Sequence, residues 1–212
     1  MTKRRSLAGA AVVFAFALSC QSGGYTSLGT NAISSDAADE TVPGDSGLPW
    51  PSGTNAGDLA TLRAWQAFRG RPNDVALVLT QYESWDGITR PTILDVMRPY
   101  QGTLVIAQPF WPNTIGGSLS ACAAGDYDAN WRTFGATLTE KGRQASIIRL
   151  AWQFNGDDVE WSATDPVAWL ACYRRVVTAI RANVPAARID WSMNAHGTDE
   201  PKGGDTFDVY PG

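Results

Sequence analysis

The sequence predicts an α/β fold wound as a (β/α) barrel of the TIM type, with about the first five βα units present. Three observations point there. Short apolar, β-rich runs alternate with longer amphipathic ones along the chain. Such alternation makes a parallel sheet with right-handed crossovers, either doubly wound or barrel-like. No glycine-rich phosphate loop follows the first strand, which weakens the nucleotide-binding, doubly wound option. Polar and aromatic residues gather instead at the C-terminal ends of the strands, the rim where (β/α) barrels carry their sites. They are Gln81 with Trp85, Gln108 with Trp111, Gln153 with Asn155, and Asn194.

Trp50 to Asn55 reads as a weak first strand. Asp58 is the N-cap of a helix on which Leu59, Leu62, Trp65 and Phe68 repeat at helical spacing. Asp74 to Gln81 is a near-continuous hydrophobic strand of the kind buried on both faces. A helix from about Pro91 to Tyr100 follows, then a third strand from Thr103 to Gln108. A long loop holding Phe110, Trp111 and Pro112 leads to a helix near Asp128 to Lys141. Ser146 to Phe154 is the fourth strand. Asp165 and Pro166 open the next helix as N-cap and N1 proline, and that helix ends before Pro185. Arg188 to Asn194 is the fifth strand. Eight strands close such a barrel, typically over about 250 residues. A chain ending at Asp208-Val209-Tyr210-Pro211-Gly212 therefore reads as truncated.

The N-terminus has its own pattern. Lys3, Arg4 and Arg5 form a positive n-region, Leu7 to Leu18 is apolar and small, and Ser19 and Cys20 close the segment. This is a secretory signal layout, residues 1–20, too short for a stable membrane span. Ala17-Leu18-Ser19-Cys20 resembles a bacterial lipobox, with Ala17 where leucine is usual. Cys20 is then the lipidated first residue of a membrane-anchored lipoprotein. The other reading is ordinary secretion with cleavage nearby. Both make the protein exported. Residues 21–47 are rich in Ser, Gly, Thr, Ala and Asp and read as a flexible linker. The folded domain is expected over residues 48–212.

Composition narrows the function classes. Without Lys3, Arg4 and Arg5 the net charge moves from −4 to −7, and no basic cluster remains, so nucleic acid is a disfavoured partner. Apart from Cys20 the chain has Cys122 and Cys172. In an oxidising compartment these invite a disulfide between the loop after the third strand and the helix after the fourth. Two separately buried thiols are the alternative. With one histidine, His196, and no Cys/His zinc spacing, neither a metal site nor a cofactor is expected. Nine tryptophans are many for this length, and several lie beside Asn, Asp or Gly, a setting that suits sugar stacking as well as a core.

The run Ile148-Arg149-Leu150-Ala151-Trp152-Gln153-Phe154-Asn155-Gly156, with Trp161 a few residues on, resembles the fourth-strand motif of glycoside hydrolase family 26-like proteins. That family includes endo-β-1,4-mannanases, and its members commonly read Arg-Leu-Gly-Trp-Glu-Phe-Asn-Gly there. Ser52-Gly53, Thr80 to Trp85, Asp190-Trp191 with Asn194, and Tyr210-Pro211-Gly212 are similar in the same order. The resemblance implies a retaining glycosidase acting on a β-linked polysaccharide such as mannan. Such enzymes use an acid/base carboxyl at the end of the fourth strand and a nucleophile at the end of the seventh, about 5–5.5 Å apart.

Two departures matter. The acid/base position is Gln153, an amide that cannot act as an acid, and the expected truncation removes the seventh strand with the nucleophile. The chain is therefore expected to be inactive, either as a fragment of a hydrolase or as a non-catalytic carbohydrate-binding lipoprotein. Gln153 is open to three readings: a binding residue of a pseudoenzyme, a glutamate codon changed by one nucleotide, or a lineage whose acid moved to Glu83, Asp157, Asp158 or Glu160. The resemblance and the rim positions nominate Trp152, Asn155, Trp161, Trp85, Trp111 and Asn194 for substrate binding. Arg149, in a strand otherwise apolar, is read equally as an ion-pair partner and as a ligand contact.

Overall fold

The computed structural model describes residues 40–195 and 205–212. The signal-like segment with Cys20, residues 21–39 of the expected linker, and His196 lie outside the described residues.

Five strands form one parallel sheet: β1 (Gly53–Asn55), β2 (Val75–Leu79), β3 (Thr103–Gln108), β4 (Ile147–Leu150) and β5 (Arg188–Trp191). They pair in sequence order, β1 to β5. That order decides between the two architectures. Right-handed crossovers that always step the same way put every helix on one face, whereas a doubly wound sheet reverses its order at a switch point. The sheet is singly wound, and among the described residues it has two open edges, β1 and β5.

Burial follows from that winding. Side chains alternate across a strand, and Ala76, Val78, Leu104, Ile106, Ile148 and Leu150, on the helix side, are all 1% exposed or less. The opposite, concave face is only partly covered: Val75, Leu77, Val105 and Ile147 are half-buried and Leu79 is 44% exposed. The expectation that the second strand is buried on both faces holds for one face alone among the described residues.

The helices are α1 (Leu59–Arg69), α2 (Trp85–Thr89), α3 (Ile93–Val96), α4 (Leu119–Ala124), α5 (Asp128–Glu140) and α6 (Pro166–Arg181). Asp58 caps α1 through the Thr61 N–H, and Asp165 caps α6 through the Ala168 N–H with Pro166 in the first turn. On α6, Trp169, Cys172, Tyr173, Val176, Ala179 and Ile180 make one buried stripe at helical spacing. Fully burying each large apolar side chain contributes about 1.5–3 kcal/mol. Of the α1 stripe only Leu62 is buried; Trp65 is 39% and Phe68 80% exposed, their rings tilted against each other with centroids 5.4 Å apart. The helix expected near Pro91 to Tyr100 is shortened to α3, the unexpected α2 precedes it, and α4 occupies part of the expected long loop.

Cys122 of α4 and Cys172 of α6 form the expected disulfide, with a Cα–Cα distance of 5.0 Å and a sequence separation of 50.

The linker boundary needs correction. Residues 40–47 are docked on the domain rather than free. Val42 is 2% exposed, donates its N–H to Pro99 O and accepts from Gln101 N–H, forming a parallel bridge beside Tyr100. Asp74 holds the same segment by accepting from Ser46 N–H and Ser46 Oγ, and it also accepts from Ser52 N–H. These three donors hold the Asp74 carboxyl down to about 2, with the Ser46 hydroxyl contributing most. Gly44 lies so close to Gly102 that a Cβ there would meet backbone atoms.

Candidate functional site

The site is built where the sheet stops being regular. β4 ends at Leu150 because the next residues turn: Ala151 and Gln153 have φ values of 50° and 58°, left-handed conformations that non-glycine residues seldom adopt. Strain of this kind is held only where the surroundings over-determine it, and it clusters at functional positions. Here the ladder continues through it. Ala151 N–H donates to Gln108 O at 2.8 Å and Gln153 N–H donates to Ser192 O at 3.0 Å. The turn thus projects Trp152 and Gln153 from the C-terminal end of β4, between its two neighbours.

An aromatic relay fixes the loop behind them. Trp169 Nε1 donates to Trp161 O at 3.0 Å, and Trp161 Nε1 donates to Trp152 O at 2.8 Å. The Trp161 ring meets Trp152 edge-on with centroids 4.7 Å apart. Tyr82, from the loop after β2, meets both, at 6.2 Å and 6.4 Å. Trp152 remains half-buried and Gln153 exposed.

Asn155 supplies a second clamp. Its Nδ2 donates to Asn194 O at 2.9 Å, and its Oδ1 accepts from Asn194 N–H at 2.7 Å. One buried amide thereby ties the β4 loop to the chain leaving β5.

Below the rim, the strand register aligns one row of concave-face residues. Leu79 pairs with Ala107, Ala107 with Arg149, and Arg149 with Asp190. Arg149 Nε donates to Asp190 Oδ2 at 2.6 Å, and both side chains are about one-third exposed. Leu79, Ala107 and Arg149 of this row, Asn55 and Leu77 beneath it, and Trp152, Gln153 and residues 192–195 above it line a cleft of about 370 Å³. Among the described residues of the lining there is neither aspartate nor glutamate, and Arg149 is the charged one.

The nominated residues divide sharply. Trp152, Gln153 and Asn194 line the cleft. Asn155, 2% exposed, holds backbone beside it. Trp161 and Trp111 correct the reading that they offer stacking faces. They are 2% and 1% exposed, because Trp161 is locked into the indole relay and Trp111 fills the space against Gly117. Trp85 is half-buried against Tyr127 and Trp131 in the helix layer and does not line the cleft. Gln108, also placed at the rim, is fully buried, accepting from Thr80 Oγ1 and donating to Ile88 O. Of the relocated-acid candidates, Glu83, Asp157, Asp158 and Glu160 are exposed loop residues outside the cleft lining. Arg149 forms the ion pair that one of its readings expects, with Asp190, and also lines the cleft.

Asn55, Leu77, Leu79, Ser192 and Met193 were not singled out in the sequence. Period-2 alternation along the strands places Leu77 and Leu79 on the Arg149 side. Nothing local marks Ser192 or Met193, which the Gln153 and Asn155 hydrogen bonds bring to the rim.

No family model and no curated protein matches the sequence. Among solved structures the chain is similar to a β-mannanase from a symbiotic protist of the termite Reticulitermes speratus, complexed with gluco-manno-oligosaccharide. The TM-score is 0.49 and the identity 13%, over 82% of this chain and 70% of that one.

Proposed function

We propose that this protein is an exported carbohydrate-binding member of the β-mannanase-type barrel lineage, which holds a β-linked oligosaccharide in the cleft without hydrolysing it. One observation carries the reading. At the end of the fourth strand, where the resembling motif has its acid/base glutamate, Gln153 stands exposed in a cleft whose described lining residues include no carboxylic acid. Positioned acid–base catalysis accounts for roughly 10²–10⁴-fold in rate, and an amide supplies none of it. What an amide does supply is a donor and an acceptor for sugar hydroxyls. Trp152, with its carbonyl and one edge held by Trp161, presents the remainder of a rigid apolar ring beside it. The Cys122–Cys172 disulfide supports export, since such bonds persist in oxidising compartments.

Titration calorimetry of the full chain with β-1,4-mannohexaose tests this directly. Saturable binding is expected, with Trp152→Ala weakening it by about tenfold, the scale of a lost stacking contact of about 1.4 kcal/mol. Reducing-end assays on the same sugar are expected to stay at background. Hydrolysis by the unaltered protein would overturn the non-catalytic part of the reading, and absence of any binding would overturn the whole.

A further inference from the structure

Among the described residues Arg149 is the one cation of the cleft lining, and its guanidinium is only half used. Nε is engaged by Asp190 Oδ2 at 2.6 Å, whereas Nη1 and Nη2 have no hydrogen-bond partner among the described residues. The residue is about one-third exposed, in the row just beneath Trp152 and Gln153. Asp190 holds the guanidinium through Nε from the β5 side, and Arg149 itself lines the cleft.

From this we infer that the cleft is built for an acidic sugar, a β-linked uronate whose carboxylate docks on Nη1 and Nη2 of Arg149. The inference rests on the carbohydrate-binding reading and deepens it. Three features favour a carboxylate over a neutral hydroxymethyl group at that place. The paired N–H bonds of a guanidinium edge match the two oxygens of a carboxylate and make the stronger, charge-assisted bond. A guanidinium already oriented by a neighbour loses less freedom when it binds. None of the described lining residues is a carboxylate that would repel an anion, and Gln153 stands where the resembling motif has an acidic side chain. Asp190 cancels part of the charge, so the preference is local and directional. The chain's net charge of −4 acts at distances that physiological salt largely screens.

β-1,4-Mannohexaose and β-1,4-mannuronate hexamer are a matched pair of probes that differ at C6 alone. Calorimetry of the full chain at about 0.15 M salt should give the uronate about tenfold tighter binding, with the gap closing to within about twofold in Arg149→Gln and only partly kept in Arg149→Lys. Equal binding of the two sugars, or tighter binding of the neutral one, overturns the inference and leaves the carbohydrate-binding reading intact. A uronate preference that survives in Arg149→Gln overturns the role of Arg149. Binding of neither sugar overturns both readings. Should Arg149→Gln fail to fold, judged by circular dichroism, the two sugars compared on the unaltered protein still decide.

Discussion

The two faces of the sheet are made from the same strands and do opposite work. On the helix side, Val78, Ile106 and Ile148 are almost wholly removed from water, and the stripe of α6 completes that layer. On the concave side, Leu79, Arg149 and Asp190 form a row that water still reaches. Adjacent residues of one strand thus belong to different problems. Ile148 holds the fold together, and Arg149, one residue later, faces the cleft. The lesson is that strand alternation, more than distance along the chain, separates core from cleft lining in this protein.

That contrast can be broken in order of expected effect. The largest loss should come from the helix layer's covalent link. Opening the Cys122–Cys172 bond frees a loop of about 50 residues, and the chain-entropy estimate for such a loop is about 4 kcal/mol. Urea denaturation of Cys122→Ser/Cys172→Ser against the native protein should show a loss of that order. Sugar affinity measured well below the melting transition should be unchanged, and a loss of affinity equal to the loss of stability would dissolve the distinction between the faces. Next, Ile106→Ala should destabilise by about 2–5 kcal/mol, the range for deleting a buried aliphatic side chain. Leu79→Ala, at a side chain 44% exposed, should lose less than about 1 kcal/mol. Similar losses at both positions would mean that the concave face is covered in solution.

The smallest effect concerns acid. Asp74 has its folded value lowered to about 2, so its contribution is fully present above the ordinary carboxylate range near 4 and is lost as the pH falls towards 2. The stability advantage of native protein over Asp74→Asn should therefore be steady at pH 5 and above and shrink below pH 4. An advantage that persists at pH 2 would show that the docked segment is held by contacts other than that carboxylate.

Much of the fold was legible because its signals are local. Asp165-Pro166 announces a helix start whatever surrounds it, and the runs at Asp74 and Thr103 are too apolar and β-branched to be anything but strands of a sheet. The pairing of Cys122 with Cys172 was legible from compartment and count. The docked segment at Val42 was not, because a single valine in a polar stretch carries no period, and only Tyr100 and Gly102, some 60 residues on, give it a place. The tryptophans divide in the same way. Composition leaves sugar stacking and core both open for several of them, and the indole N–H bonds that draw Trp161 into the core depend on Trp169 and Trp152. Trp152 itself was legible through its motif, although the left-handed turn that exposes it was not, since neither Ala151 nor Gln153 advertises that conformation.

The docking of residues 40–47 also sets a direction. Val42 lies beside Tyr100, and Ser46 beside Asp74, just ahead of β3 and β2, whereas the cleft opens where those strands finish. Entry point and cleft are therefore at opposite ends of the sheet, about 16 Å apart for a five-residue strand. The chain thus enters the domain at the end of the sheet away from the cleft, so the contacts that seat residues 40–47 leave the cleft rim unencumbered.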